Sequence, residues 1–144
     1  MAAATSSVLA LDVGDRRIGI AMASLAAGLA RPLATLQHDV NFFTALGGII
    51  EKEDIGTLVV GLPRGLDGQR TGQTEAIEAF TDELRQHCDL PIEMQDEAMT
   101  SKQAEAELQA RGKPYVRGDI DALAATYILE DWLAGQRRQQ ESTT

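Results

Sequence analysis

The sequence predicts an α/β protein built on a mixed sheet of five strands, three antiparallel and then parallel, with helices on both faces. Three observations lead there. Two apolar segments near the start are separated only by "GDRR", which suits a tight antiparallel hairpin. Further on, "IGTLVVGLP" is a short β-branched run stopped by Gly and Pro, the pattern of a buried parallel strand. From residue 41 onward, segments of helical period alternate with strand-like ones, so the later strands join the sheet by right-handed crossovers.

Taken in order, Val8 to Val13 and Ile18 to Ala23 form the hairpin, and Leu33 to Gln37 adds a third strand after Pro32. In "NFFTALGGIIEK", Phe42, Leu46, Ile49 and Ile50 fall at helical spacing from Asn41 to Lys52, although the Gly47-Gly48 pair weakens that helix. The strand "IGTLVVGLP" follows, and then the loop "GLPRGLDGQRTGQT", which holds four of the thirteen glycines. Thr74 to His87 reads as a helix with Ala76, Ile77, Phe80 and Leu84 on one stripe. "LPIEMQDE" contains another short strand. Thr100 with Gln103 has capping-box spacing and starts a helix to about Ala110. After the connection "RGKPYVRGD", the last helix runs from Asp119 to Ala134. One domain over residues 1–134 is expected, with 135–144 as a flexible polar tail.

Composition narrows the class. The chain is 44% hydrophobic and 24% charged, as globular proteins are. Its single cysteine, Cys88, rules out an intrachain disulfide and points to a reducing compartment. The opening "MAAATSS" does not read as a secretory signal, and no apolar run is long enough for a membrane helix, so a cytoplasmic location is expected. Thirteen basic residues against twenty-two acidic ones give a net charge of −9, which argues against nucleic acid as a partner. The cations, however, gather in loops: Arg16, Arg17, Arg64, Arg70, Arg111, Lys113 and Arg117. The acids concentrate in the helices. Any nucleic-acid binding is then expected to depend on metal and to weaken readily with salt.

Acids in costly places are the main clue to chemistry. Asp12 ends an apolar strand, where an unpaired charge would cost several kcal/mol. Arg16 or Arg17 across the turn is the plain partner. Asp96 and Glu97 end another strand, where they could simply be solvated or cap the next helix. Asp121 lies about 20° from Ile128 on a helical wheel, at the edge of the stripe formed by Ile120, Leu123, Ala124, Tyr127 and Ile128. It could also serve the helix dipole, with Asp119 as N-cap. Together, one acid ends the first strand, another ends a later strand, and a third begins the last helix facing the sheet. Such carboxylates repel unless a cation lies between them. An all-oxygen set suits Mg²⁺ or Mn²⁺, and two such ions can assist in-line phosphoryl displacement. His38 and His87 are isolated in the sequence and are read as surface residues, and Cys88 as a partly buried small residue.

Four motifs then resemble a known family. "LALDVGDRRIGIA" is similar to the Asp-x-Gly-x-x-Arg-x-Gly opening of the YqgF/RuvX family, with Asp12, Gly14, Arg17 and Gly19 in place. "VVGLPRGLDG" matches its second block at Gly61, Leu62, Pro63, Asp67 and Gly68. "DEAMTS" resembles its Asp-Glu-Arg-x-Thr block, and "IDALAATYILEDWL" its closing helix. The resemblance runs from about Val8 to Leu133. It implies a ribonuclease H-like fold and a nuclease that cuts Holliday junctions or matures the 5′ end of 16S rRNA precursor. It also implies Asp12, Glu97 and Asp121 as catalytic, metal-holding residues, with Asp96 or Asp119 as further ligands. Arg16, Arg17, Arg64, Arg70, Lys113 and Arg117 would then contact RNA or branched DNA, and junction cutting would favour a homodimer. Two positions depart from the pattern. Ala98 stands where the family has Arg, and Gly118 stands where the related resolvase RuvC has a fourth acid.

Two rivals share the opening motif. Actin-like and sugar-kinase ATPases hold phosphate with an Asp-x-Gly turn, but they close two such domains around the nucleotide and this chain supplies one. A non-catalytic interaction domain could keep the fold, given Ala98, Gly118 and the acidic surface.

Overall fold

The structure, a computed structural model, describes residues 6–63, 69–97 and 100–142. Its strands are β1 (Ser7–Val13), β2 (Arg17–Ser24), β3 (Arg31–Gln37), β4 (Ile55–Pro63) and β5 (Ile92–Glu97). The helices are α1 (Phe42–Lys52), α2 (Gly72–His87), α3 (Thr100–Arg111) and α4 (Arg117–Ser142). One five-stranded sheet has the order β3-β2-β1-β4-β5. β1 to β3 pair antiparallel, and β4 and β5 join parallel to β1 and to each other, the mixed sheet expected from the sequence.

Alternation along the strands divides the side chains between two layers. Leu9, Leu11, Ile18, Ile20, Leu58 and Val60 point to one face, where Phe42 and Leu46 of α1 and Ile77, Phe80 and Leu84 of α2 cover them. On the other face Val8, Ala10, Ala21, Ala23 and Val59 meet Ala125, Ile128, Leu129, Trp132 and Leu133 of α4. The small residues on that face let α4 lie close to the sheet along its first half. α3 forms an outer layer, with Ala104 and Leu108 packed on Leu123 and Ala124. Tyr127 Oη also donates to Glu107 Oε1 at 2.8 Å across the α3–α4 seam. Burial there, and then the Glu107 carboxylate, push the phenol up to about 12.

α4 corrects several expectations. It is apolar on two sides because it is sandwiched between the sheet and α3, so a single stripe does not describe it. Asp121 is in register with Ala125, Ile128, Leu129 and Trp132 at helical spacing, and so lies on the sheet-facing stripe itself rather than at its edge. The helix also continues through Ser142, so residues 135–142 of the expected tail are helical. Gln, Arg and Glu are good helix formers, and Gly135 alone does not stop the run. At the other end the helix starts at Arg117, which makes Asp119 a first-turn residue and not the N-cap. Its Oδ2 accepts the backbone N–H of Val116 at 3.0 Å. α2 likewise starts two residues early, capped by Thr71 in a reciprocal box with Thr74. The capping box expected at Thr100 lies outside the described side chains. Among the described residues no helix is long and apolar enough to cross a membrane.

Candidate active site

Asp12 is the penultimate residue of β1 and shares the α4 face with Val8 and Ala10. It pairs with Gly19 of β2, and the β1–β4 register, with Leu11 opposite Val60, brings it level with Gly61. Both flanking positions are glycine for steric reasons. A Cβ on Gly19 would stand 2.0 Å from the carbonyl oxygen of Asp121, so the start of α4 rests directly on the β2 backbone. A Cβ on Gly61 would stand 2.5 Å from Ile128 Cδ1 and 3.0 Å from Glu97 Oε1. Bare backbone at Gly61 thus lets Glu97, the last residue of β5, lean across β4 toward Asp12.

The first turns of α4 are tied down from two strands. Arg17 Nε donates to Asp121 Oδ2 at 2.6 Å, and Thr35 Oγ1 donates to the Gly118 carbonyl at 2.6 Å. Arg17 therefore pairs with Asp121, not with Asp12 across the turn. Among the described residues Asp12 has no such ion pair. Burial, and then the negative charges of Glu97 and Asp121, raise its carboxyl from 3.8 to about 7.

Not every expected residue joins this group. Asp96 shares the opposite, α1–α2 face of β5 with Ile92 and Met94. Asp119 is engaged with the Val116 N–H. Arg70 makes a two-pronged pair with Glu78, at 2.7 and 2.6 Å. Lys113 lines a separate recess with Leu108, Arg111, Pro114 and Tyr115. Arg16 is exposed in the β1–β2 turn. Arg64 and Ala98 lie outside the described residues. Arg17 and Arg117, in contrast, border a cleft of about 370 Å³ beside Asp121, together with Ser101, Lys102 and Glu105. Ser101 and Lys102 were not singled out from the sequence, where they read as ordinary polar positions of a helix.

A half-buried carboxyl held up by two neighbouring acids calls for positive charge, and an all-oxygen donor set suits a hard divalent cation. The residues fit Mg²⁺ or Mn²⁺ by charge and donor type. Among the described residues, no three His, Cys, Asp or Glu side chains converge closely enough to hold an ion as they stand. Asp121 is held on Arg17.

The fold is shared with solved structures of Holliday junction resolvases. Thermus thermophilus RuvC in complex with a Holliday junction substrate aligns with a TM-score of 0.55 at 16% identity, covering 91% of this chain and 96% of that one. The fowlpox virus resolvase with its Holliday junction DNA aligns at 0.52 and 11% identity, covering 90% and 98%. At such identities the likeness is one of fold. The family follows from sequence: the model for RuvX, described as Holliday junction resolvase, matches residues 6–135, and the chain belongs to that family. Among its relatives, a Chloroflexus aurantiacus protein is 39% identical over 134 residues, 90% of this chain and 88% of that protein. A Roseiflexus protein is 40% identical over 142 residues, 95% and 100% of the two chains. Both carry the name "Putative pre-16S rRNA nuclease".

Proposed function

We propose that the protein is a cytoplasmic, metal-dependent nuclease that hydrolyses phosphodiester bonds in structured nucleic acid, with the 5′ end of 16S rRNA precursor as its substrate. The observation that carries this reading is the Asp12 carboxyl, half-buried near Glu97 and Asp121 at a strand end bordered by Arg17. Asp12, Glu97 and Asp121 would hold Mg²⁺ or Mn²⁺, in a site for two ions. When bound, the cation supplies charge stabilisation to the phosphate undergoing attack by water. Arg17 orients Asp121, and the cleft formed with Lys102 and Arg117 takes a flanking phosphate. Arg16, exposed on the adjoining turn, meets the next phosphate along the strand. The names of the relatives favour RNA as substrate.

A second reading, cutting of four-way DNA, is favoured by the description of the matching family model. It needs two sites acting on opposed strands and therefore a homodimer.

A cleavage panel tests both readings. Precursor 16S rRNA, single-stranded RNA and four-way DNA are incubated with Mn²⁺, with Mg²⁺ and with chelator. Cleavage of the rRNA precursor at its 5′ end, abolished by chelator and by Asp12→Asn in a folded protein, is expected. Preferential cutting of the junction supports the second reading. Cleavage by Asp12→Asn at the wild-type rate, or no cleavage of any substrate, overturns the proposal.

A further inference from the structure

The chain's two histidines, 49 positions apart in sequence, face one cleft on the side of the sheet away from Asp12. That cleft, about 560 Å³, is lined by His38, Asp39, Phe42, Phe43, Glu83 and His87. We propose that it binds an unpaired nucleobase of the strand whose phosphates pass the carboxylate site, an inference that rests on the nuclease reading above.

The aromatic rings are arranged as a stack with an open end. Phe80 and Phe43 lie 5.8 Å apart at 21°, and Phe43 and His87 lie 4.1 Å apart at 7°. His87, the outermost ring, is exposed, so the column stops where a further flat ring can be added. His38 stands edge-on to Phe80 at 5.5 Å and forms the other wall. The cleft's charged groups are carboxylates, Asp39 and Glu83, which repel a phosphate but accept hydrogen bonds from the amino edges of adenine, cytosine and guanine. Asp39 Oδ1 already accepts the Asn41 N–H at 2.9 Å, which leaves Glu83 as the better placed acceptor.

Hydrogen bonds from His38 to the β1–β2 turn tie the cleft wall to the segment that follows Asp12. His38 Nδ1–H donates to the Gly14 carbonyl at 2.6 Å, and the His38 backbone N–H donates to the Arg16 carbonyl at 2.9 Å. Gly14 is two residues from Asp12, and Arg16 is exposed at the crest of the same turn. A strand crossing this turn presents phosphates to Arg16 on one side and turns a base into the cleft on the other.

Because both histidines line the cleft and the chain has no others, their ring Hε1 resonances report on it without labelling. The full chain is titrated at low salt in Ca²⁺, used in place of Mg²⁺ or Mn²⁺, with a fluorescein-labelled single-stranded RNA and with an abasic oligomer of the same length. Fluorescence anisotropy reads total binding. The expected result is that RNA binds, shifts both resonances, and binds at least fivefold more tightly than the abasic oligomer. His87→Ser should weaken RNA binding about fivefold or more, and His87→Phe should restore it. RNA binding with both resonances unmoved, or equal binding of the abasic oligomer, overturns the base cleft and leaves the nuclease reading intact. The base cleft is equally overturned if RNA does not bind in Ca²⁺ but is cut with Mn²⁺ at an unchanged KM by His87→Ser. Absence of both binding and cleavage overturns the two together.

Discussion

Arg17 on β2 and Asp121 on α4 are 104 residues apart in sequence, yet the guanidinium Nε meets the carboxylate Oδ2 at 2.6 Å over the end of the sheet. The pair offsets one of three neighbouring acids and leaves Asp12 to bear the remaining repulsion. Replacing Arg17 by Met removes that cation from a half-buried site. A loss of about 1–3 kcal/mol in urea unfolding without metal is expected. Mn²⁺ should recover more stability in the variant than in the wild type. Equal stabilisation of both by Mn²⁺ would show that the guanidinium and the ion do not serve the same charge.

Asp12 sets the pH dependence. Its folded carboxyl holds a proton up to about pH 7, while the unfolded one releases it near the ordinary 3.8. Between those values the folded state binds more protons, so stability falls as pH rises and then levels above 7. The contribution is on the order of a few kcal/mol. Asp12→Asn should flatten this slope and make the metal-free protein more stable than wild type at pH 8, as read by urea titrations in chelator. A variant no more stable than wild type at pH 8 contradicts the assignment.

Gly19 and Gly61 should respond differently to alanine. At Gly19 the added Cβ meets the main chain of Asp121 at 2.0 Å, and backbone cannot step aside. Gly19→Ala is expected to cost about 3 kcal/mol or more, or to leave the chain unfolded. At Gly61 the obstacles are the tips of two side chains, Ile128 and Glu97. Gly61→Ala should fold with a loss of about 1–2 kcal/mol and lose most of its cleavage activity, because Glu97 is displaced. Thermal unfolding beside the cleavage assay separates the two cases. Full activity in folded Gly61→Ala would remove Glu97 from the site.

Thr35→Val tests the second tie on α4. It removes the hydrogen bond to the Gly118 carbonyl while keeping the side-chain shape. A loss of about 1 kcal/mol is expected in chemical denaturation.

Much of the fold was legible because its signals are local. The "GDRR" hairpin, the apolar run of β4 and the stripe of α2 each declare themselves within a few residues. The course of α4 was less so. Its middle is apolar on two sides, which hides the sheet-facing stripe, and its end is polar in a way shared by exposed helices and disordered tails. Position in chain and family pattern pointed to Asp12, Glu97 and Asp121 as candidates. The Arg17–Asp121 pair, the Lys102 cleft and the meeting of His38 with His87 depend on elements brought together only by folding. No periodicity records such contacts.

The seat of α4 on Gly19 means that main chain, not side chain, sets the height of Asp121 above the sheet. Interior side chains beneath the middle of the helix can be exchanged for others of similar bulk while this corner keeps its spacing. Drift elsewhere in the interior is therefore decoupled from the alignment of the acids. The position least open to exchange is the one with nothing attached to its α-carbon.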